Sequence, residues 1–283
     1  MKSDTRRIAQ IVEPQAVVEG AGVRLKRSIG GRSLNYVDPF LLLDHFQSKN
    51  PADYQAGFPL HPHRGIETVT YLLRGAVRHR DSVGNAGEIG PGDLQWMSAG
   101  RGILHEEMPQ VRPEGVAGFQ LWVNLPAKQK MSAPRYQNIH ANEIPTIELE
   151  SGATIRVIAG SIDGTTGPIT GIVAEPTYLD AALTSGGSLA LPIQRGHSAF
   201  AYLFEGEARF GADKPVPVTA PKLIVLSDGD SIEVHADKKP TRFLLVSGKP
   251  LNEPIARYGP FVMNTEAEIQ QTLRELQRGT FAQ

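Results

Sequence analysis

Apolar residues alternate with polar ones over short stretches of this chain, and helix-length apolar patterns are few. Val17-Val18, Gly22 to Lys26, Glu67 to Leu73, Phe119 to Val123, Thr154 to Ala159, Phe200 to Phe204 and Phe243 to Val246 each read as a β-strand. Gly, Pro, Asn or Asp punctuates nearly every gap, and Val83 to Gly87 reads as a loop between strands. One helix is predicted, at the C-terminus. Thr265 suits its N-cap, Glu266 and Glu268 suit its positive end, and Ile269, Leu273 and Leu276 recur at helical spacing.

The pattern also echoes itself. Tyr71-Leu72-Leu73-Arg74-Gly75 is answered by Tyr202-Leu203-Phe204-Glu205-Gly206, Gly92-Asp93 by Gly229-Asp230, and Phe119 to Val123 by Phe243 to Val246, in the same order. Two copies of one β-module fit this better than one large sandwich, with the join in the polar, proline-containing stretch from Pro126 to Pro145. The expected fold class is all-β: two tandem β-domains, residues 1–135 and 136–283, the second ending in the short helix.

Composition narrows the chemistry. With 29 Lys and Arg against 30 Asp and Glu the net charge is −1, which argues against direct nucleic-acid binding or an anionic membrane surface. Cysteine is absent, so disulfides, thiolate nucleophiles and sulfur-ligated metals are excluded, and any metal must be held by His, Asp or Glu. Met1 to Arg7 is charged but lacks the longer apolar stretch of a secretory signal, and no window approaches the ~18 apolar residues of a membrane span. The expected compartment is the cytoplasm.

The eight histidines are the candidates for chemistry. In Leu60-His61-Pro62-His63-Arg64-Gly65 two imidazoles stand two residues apart, and on a strand such residues project to one side. If the strand runs on unbroken, Val69, Tyr71 and Leu73 continue that face as an apolar one. Buried imidazoles are costly unless something binds them. In Leu104-His105-Glu106-Glu107-Met108 the spacing repeats, placing His105 and Glu107 together and Glu106 on the opposite side. A lone HxH pair arises often by chance; the second pair reverses that judgement. Three His and one Glu can hold a metal ion and leave coordination positions open, an arrangement suited to iron, nickel, copper, manganese or zinc. Glu67 rivals Glu107, but on a straight strand it lies ~13 Å beyond His63 at ~3.3 Å per residue, so Glu107 is preferred and Glu67 kept as a supporting partner. His45, His79, His140, His197 and His235 have no partner at ligand spacing and are assigned to the surface or to structural roles.

Several blocks of the chain together resemble the pirin family of the cupin superfamily. They are HPHRGIETVTYLLRG, PGDLQWMSAGRGILHEEMP, LWVNLP with the following Met131 to Tyr136, and GPFVMNT near the end. The resemblance runs in scattered blocks from about Leu41 to about Thr265. It implies two cupin (jelly-roll β-barrel) domains and one mononuclear iron site in the N-terminal barrel, with His61, His63, His105 and Glu107 at the ligand positions. The general cupin pattern is met only partly: three residues separate Gly57 from His61, and four separate Gly100 from His105, though only two separate Gly102 from it. Glu67 occupies the general cupin glutamate's place, and the departures put it in doubt as a ligand. In the second half, aligning Tyr202 with Tyr71 puts Pro192 and Gln194 at the places of His61 and His63, so no site is expected there.

The resemblance further implies quercetin 2,3-dioxygenase activity: opening of a flavonol ring with O2 and release of carbon monoxide, with Fe(II) as the expected metal. Glu107 is the expected catalytic base for the flavonol hydroxyl. Phe58, Trp96 and Met97 flank the motifs, and Asp44 is placed to enter the pocket or to act as a turn residue. The alternative is a metal-dependent regulatory protein acting through a protein partner, for which Arg24, Lys26, Arg27 and Arg32 offer a basic cluster; alternating charges also suit the solvated face of an edge strand.

Overall fold

A lone strand leaves its backbone N–H and C=O groups unpaired, so a chain built from short strands must assemble them into sheets. The computed structural model, which describes residues 4–212 and 214–282, does this twice, in two compact units. Met1, Lys2 and Ser3, part of the stretch read for a targeting signal, lie outside the described residues. In the first unit one sheet has seven strands, in the order Arg135–Ile139, Leu94–Ser98, Ile66–Arg74, Val116–Asn124, Phe40–Ser48, Val23–Ile29, Gln15–Glu19. Its second sheet has four: Phe58–His63, Ile103–Gln110, Ala76–Asp81, Ala86–Ile89.

The second unit repeats this plan strand for strand. Its seven are Ile8–Val12, Lys222–Leu226, Ser198–Glu205, Thr241–Gly248, Thr177–Leu183, Ala153–Ala159 and Thr146–Leu149; its four are Ser188–Pro192, Ser231–Ala236, Glu207–Phe210 and Val216–Thr219. The architecture is all-β, two tandem cupin-type barrels with one short helix. Two of the three sequence echoes fall on equivalent strands. The third does not: Gly92-Asp93 leads into a strand of the large sheet, Gly229-Asp230 into one of the small sheet.

The units are not separated by a single cut between residues 135 and 136, because both chain ends cross over. Of the described residues, those up to Pro14 and Arg32–Pro39 belong with the second unit, and those from Leu251 onward belong with the first. Side chains explain both crossings. Ile8–Val12 pairs antiparallel with Lys222–Leu226, and beside it Arg6, 1% exposed, donates to the carbonyls of Gln194, His197, Ser227 and Gly229. At the other end the helix Glu266–Gln277 starts in the expected capping box of Thr265 and Glu268 and buries Ile269, while Leu276 is left exposed. Arg64 fastens this segment to the first unit: its guanidinium reaches Thr272 Oγ1, the Phe281 carbonyl and the Glu275 carboxylate. No described helix is long and apolar enough to cross a membrane.

His45, assigned from the sequence to the surface or to structure, is structural. It is 6% exposed and packs its ring 4.7 Å from that of Phe119. Burial, with the nearby Lys26 charge, pushes its pKa down to about 4. Between that value and the ordinary 6.5 the unfolded chain binds the proton and the folded chain does not, so stability falls as pH drops through this window. The loss amounts to about 3 kcal/mol at ~1.4 kcal/mol per pH unit. In His45→Phe, which keeps the ring packing, denaturant titrations at pH 6.5 and pH 4 should differ by about 2–3 kcal/mol less than in the parent; equal differences would refute the assignment.

Candidate metal centre

The strands bearing the two histidine motifs are neighbours in the four-stranded sheet, with His105 directly opposite His61. Burial alternates along Ile103–Gln110, so Ile103, His105 and Glu107 point inward. Glu106 turns outward and pairs with Arg80 at 2.6 Å, as the spacing predicts. Between His105 and Glu107 the register slips and Glu107 comes to face Phe58, a bulge of the kind that re-aims a side chain. The His61, His63 and His105 rings lie with centroids 4.4 to 4.9 Å apart, and one ring nitrogen from each falls within 4.8 Å of the other two. Glu107 lies outside that group of three. It is 7% exposed, and its Oε1 is 2.6 Å from the hydroxyl of Thr70.

The donor set fits a divalent metal. His63 Nδ1 and His105 Nε2 are buried and have no hydrogen-bond partner among the described residues. Burial and the neighbouring imidazoles hold both side chains well below the ordinary histidine pKa, so they are neutral and carry free lone pairs. Backbone contacts orient the other nitrogens: His61 Nδ1 is 2.9 Å from the Pro59 carbonyl, and His63 bonds the backbone of Pro260. Such anchoring sets the tautomer that leaves the remaining nitrogen for a metal. Burial pushes the Glu107 carboxyl pKa up, while Thr70 and His61 pull it back down. The Thr70 hydroxyl is 2.6 Å from both Glu107 Oε1 and Gln120 Oε1 and has one proton to give. With the Gln120 amide turned to donate, the chain from Gln120 through Thr70 to the Glu107 carboxylate is complete.

The unbroken strand expected after His63 is not found. Gly65 adopts φ +77°, and a Cβ there would come within 1.9 Å of the Val262 carbonyl oxygen. The bend reverses the alternation, so Thr70 faces the cavity and Leu72 its inner core, while Val69 and Tyr71 take the opposite side. Glu67 goes with them, 3% exposed and bonded to Ser98 at 2.5 Å, off the cavity wall. Burial raises its pKa to about 7.

In the second barrel the inward pairs Leu189↔Val234 and Leu191↔Ile232 correspond in register to His61↔His105 and His63↔Ile103. Leu189, Leu191, Val234 and Ala236 therefore stand at the places of His61, His63, His105 and Glu107, inside one apolar core. Pro192 and Gln194, the counterparts expected from sequence, lie three residues further along and are exposed.

The cluster opens on a cavity of about 590 Å³. His61, His63, Glu107, Thr70 and Gln120 form its polar end; Val23, Leu25, Leu42, Phe46, Tyr54, Phe58 and Trp122 form apolar walls. Trp96 and Met97 are core residues away from it. Asp44 does enter the cavity, held by both arms of Arg27 at 2.8 Å, so Arg27 faces inward instead of joining a basic surface cluster. Sequence reasoning missed Thr70, Gln120, Trp122 and Arg257; Thr70 and Trp122 stand inside blocks that resemble the pirin family, but none of the four has a partner at ligand spacing. His79, assigned from the sequence to the surface or to structure, is 6% exposed, pairs in register with Glu107 and hydrogen-bonds Tyr136, whose hydroxyl accepts from Gln95 at 2.5 Å.

Comparison with known proteins gives the family. The Pirin family profile matches residues 22–123 and the Pirin C-terminal cupin domain profile matches residues 178–282. The chain is 44% identical to a pirin-like protein of Caulobacter vibrioides, over 98% of this chain and 99% of that one. It is 45% identical to the pirin of Homo sapiens, over 90% of this chain and 87% of the other. Among solved structures, that of quercetin 2,3-dioxygenase from Acinetobacter baumannii superposes with a TM-score of 0.88 at 36% identity, covering 98% of each chain. With both barrels accounted for and a histidine cluster in one of them, the chain belongs to the pirin family.

Proposed function

We propose that this protein is a metal-dependent dioxygenase that opens the ring of a flavonol such as quercetin with O2 and releases carbon monoxide. The observation that carries the proposal is a cluster of three imidazoles, two of them buried, beside a buried carboxylate, at one end of a cavity with largely apolar walls. A similar solved structure is that of a quercetin 2,3-dioxygenase. His61, His63, His105 and Glu107 would hold the ion. Fe(II) is the expected metal, and the nitrogen and oxygen donors also suit Ni, Cu, Mn or Zn. When bound, the ion supplies Lewis acidity toward a pair of adjacent substrate oxygens and a partner for O2.

The chain's own residues do the remainder. The apolar walls take a flat polyphenol and exclude water, which strengthens every polar contact at the closed end. Glu107, at the cavity wall, is the base that takes the flavonol hydroxyl proton. Thr70 and Gln120 hold its carboxylate in place.

Protein loaded anaerobically with Fe(II), given quercetin and then air, should consume the flavonol absorption band and evolve carbon monoxide. His61→Ala should lose both metal and turnover; if it loses metal and turns over flavonol as well as the parent, the proposal is wrong. Stoichiometric metal with no flavonol consumed under Fe, Ni, Cu or Mn would instead favour a metal-dependent binding protein that acts through a protein partner.

A further inference from the structure

We infer that Arg257 is the specificity-determining cation of the cavity, selecting planar aromatic ligands that carry an acidic oxygen, a carboxylate or an ionised phenol, at the end away from the histidine cluster. The inference uses the cavity assigned above to the substrate, and it names the class of molecule that cavity prefers.

Arg257 comes from Ala256–Tyr258 in the C-terminal segment, far in sequence from the histidine motifs. Its guanidinium lies 5.0 Å from the centre of the Trp122 ring. The same indole meets His63 edge-on, at 5.2 Å and 88°. Trp122 therefore bridges the two, and a flat ligand lying along it reaches the histidines at one end and Arg257 at the other. Leu42 and Phe46 supply apolar wall for such a ring.

Two arginines line the cavity, and they differ in what they have left to offer. Arg27 is saturated: Nε and Nη2 go to Asp44 and Nη1 to Glu19, all at 2.8 Å. Arg257 makes two long bonds, from Nη1 to the Leu41 carbonyl and from Nε to the Gly259 carbonyl, both 3.3 Å. Among the described residues no carboxylate comes within 4.0 Å of it, although Asp44 and Glu19 act on it at longer range. Desolvation and the Arg27 charge lower its pKa. A desolvated guanidinium with an unused edge is a site for an anion, because charge-assisted bonds to guanidinium are about twice as strong as neutral ones.

Equilibrium binding of two probes to the metal-loaded protein tests this without turnover. 2-Naphthoate carries the anion, and 2-naphthamide is its neutral isostere. The parent should bind naphthoate about tenfold or more tightly than naphthamide. Arg257→Gln should bring the two within about twofold with naphthamide affinity unchanged, which also reports an intact cavity. Arg257→Lys should keep part of the preference, and decides the matter should the glutamine variant lose naphthamide binding too. No preference in the parent, or a preference that survives Arg257→Gln, overturns the inference; the second result means the carboxylate is held elsewhere, the metal included. Naphthoate preference without flavonol turnover leaves the inference standing and removes the dioxygenase reading alone.

Discussion

His105→Val should lower bound metal to below about a tenth of an equivalent and flavonol turnover by about a thousandfold, since one ligand and the shape of the ion's cage go together. The same substitution should stabilise the protein once metal is stripped by a chelator. His105 is 1% exposed, and its Nε2 has no hydrogen-bond partner among the described residues. Burying such a group unpaired costs about 1–3 kcal/mol. The second barrel demonstrates the apolar solution: Val234 stands at the position equivalent in register and is fully buried in a hydrocarbon core. The metal-free variant should therefore exceed the metal-free parent by about 1–3 kcal/mol in denaturant titration. With metal the order reverses, because an ion present at a thousand times its dissociation constant adds about 4 kcal/mol to the parent only. A full equivalent of metal in the variant, or a metal-free variant less stable than the metal-free parent, would show that the imidazole is not there to hold an ion.

The two barrels thus share a frame and differ in what fills it. The grouping of His61, His63 and His105, and the inward side shared by His105 and Glu107, were legible in the sequence because strand alternation turns a spacing of two into a shared side. What followed Gly65 was misread for the same reason. Alternation carries only as far as the backbone stays extended, and a residue at φ +77° resets it. Thr70 therefore faces the cavity where Val69 and Tyr71 were expected. In the second barrel the connection from Pro192 to Ser198 is longer than that from His63 to Ile66, so Leu189 and Leu191 stand three residues before the Pro192 and Gln194 that were expected. Arg257 could not be read at all, since it reaches the cavity only because the chain beyond Leu251 returns to the first unit. Two buried cations at the crossings, Arg6 and Arg64, are ordinary residues in the sequence and become anchors only when distant carbonyls converge on them.

Lys130 should be the most consequential residue outside the metal cluster. It is 1% exposed, and its ammonium donates to the Gly65 carbonyl at 3.0 Å, Asn124 Oδ1 at 2.8 Å and the Val262 carbonyl at 2.9 Å. All three protons are used. The bonds tie the bend two residues after His63 to Phe261–Met263, the strand that pairs with the one bearing Arg257. Two terms oppose each other. Removing the charge relieves a desolvation penalty, visible as a pKa lowered to about 8, but it strands three buried acceptors. Loss of three charge-assisted bonds at about 1.5–3 kcal/mol each outweighs the relief, so Lys130→Met should cost about 2–4 kcal/mol. Alkaline pH supplies the second readout. Between about 8 and the ordinary 10.5 the unfolded chain holds the proton that the folded chain has released, so the parent's stability gains a rising contribution across that interval. That contribution should vanish in Lys130→Met. A variant as stable as the parent at pH 7, with the same alkaline slope, would mean that the three bonds do not hold the bend.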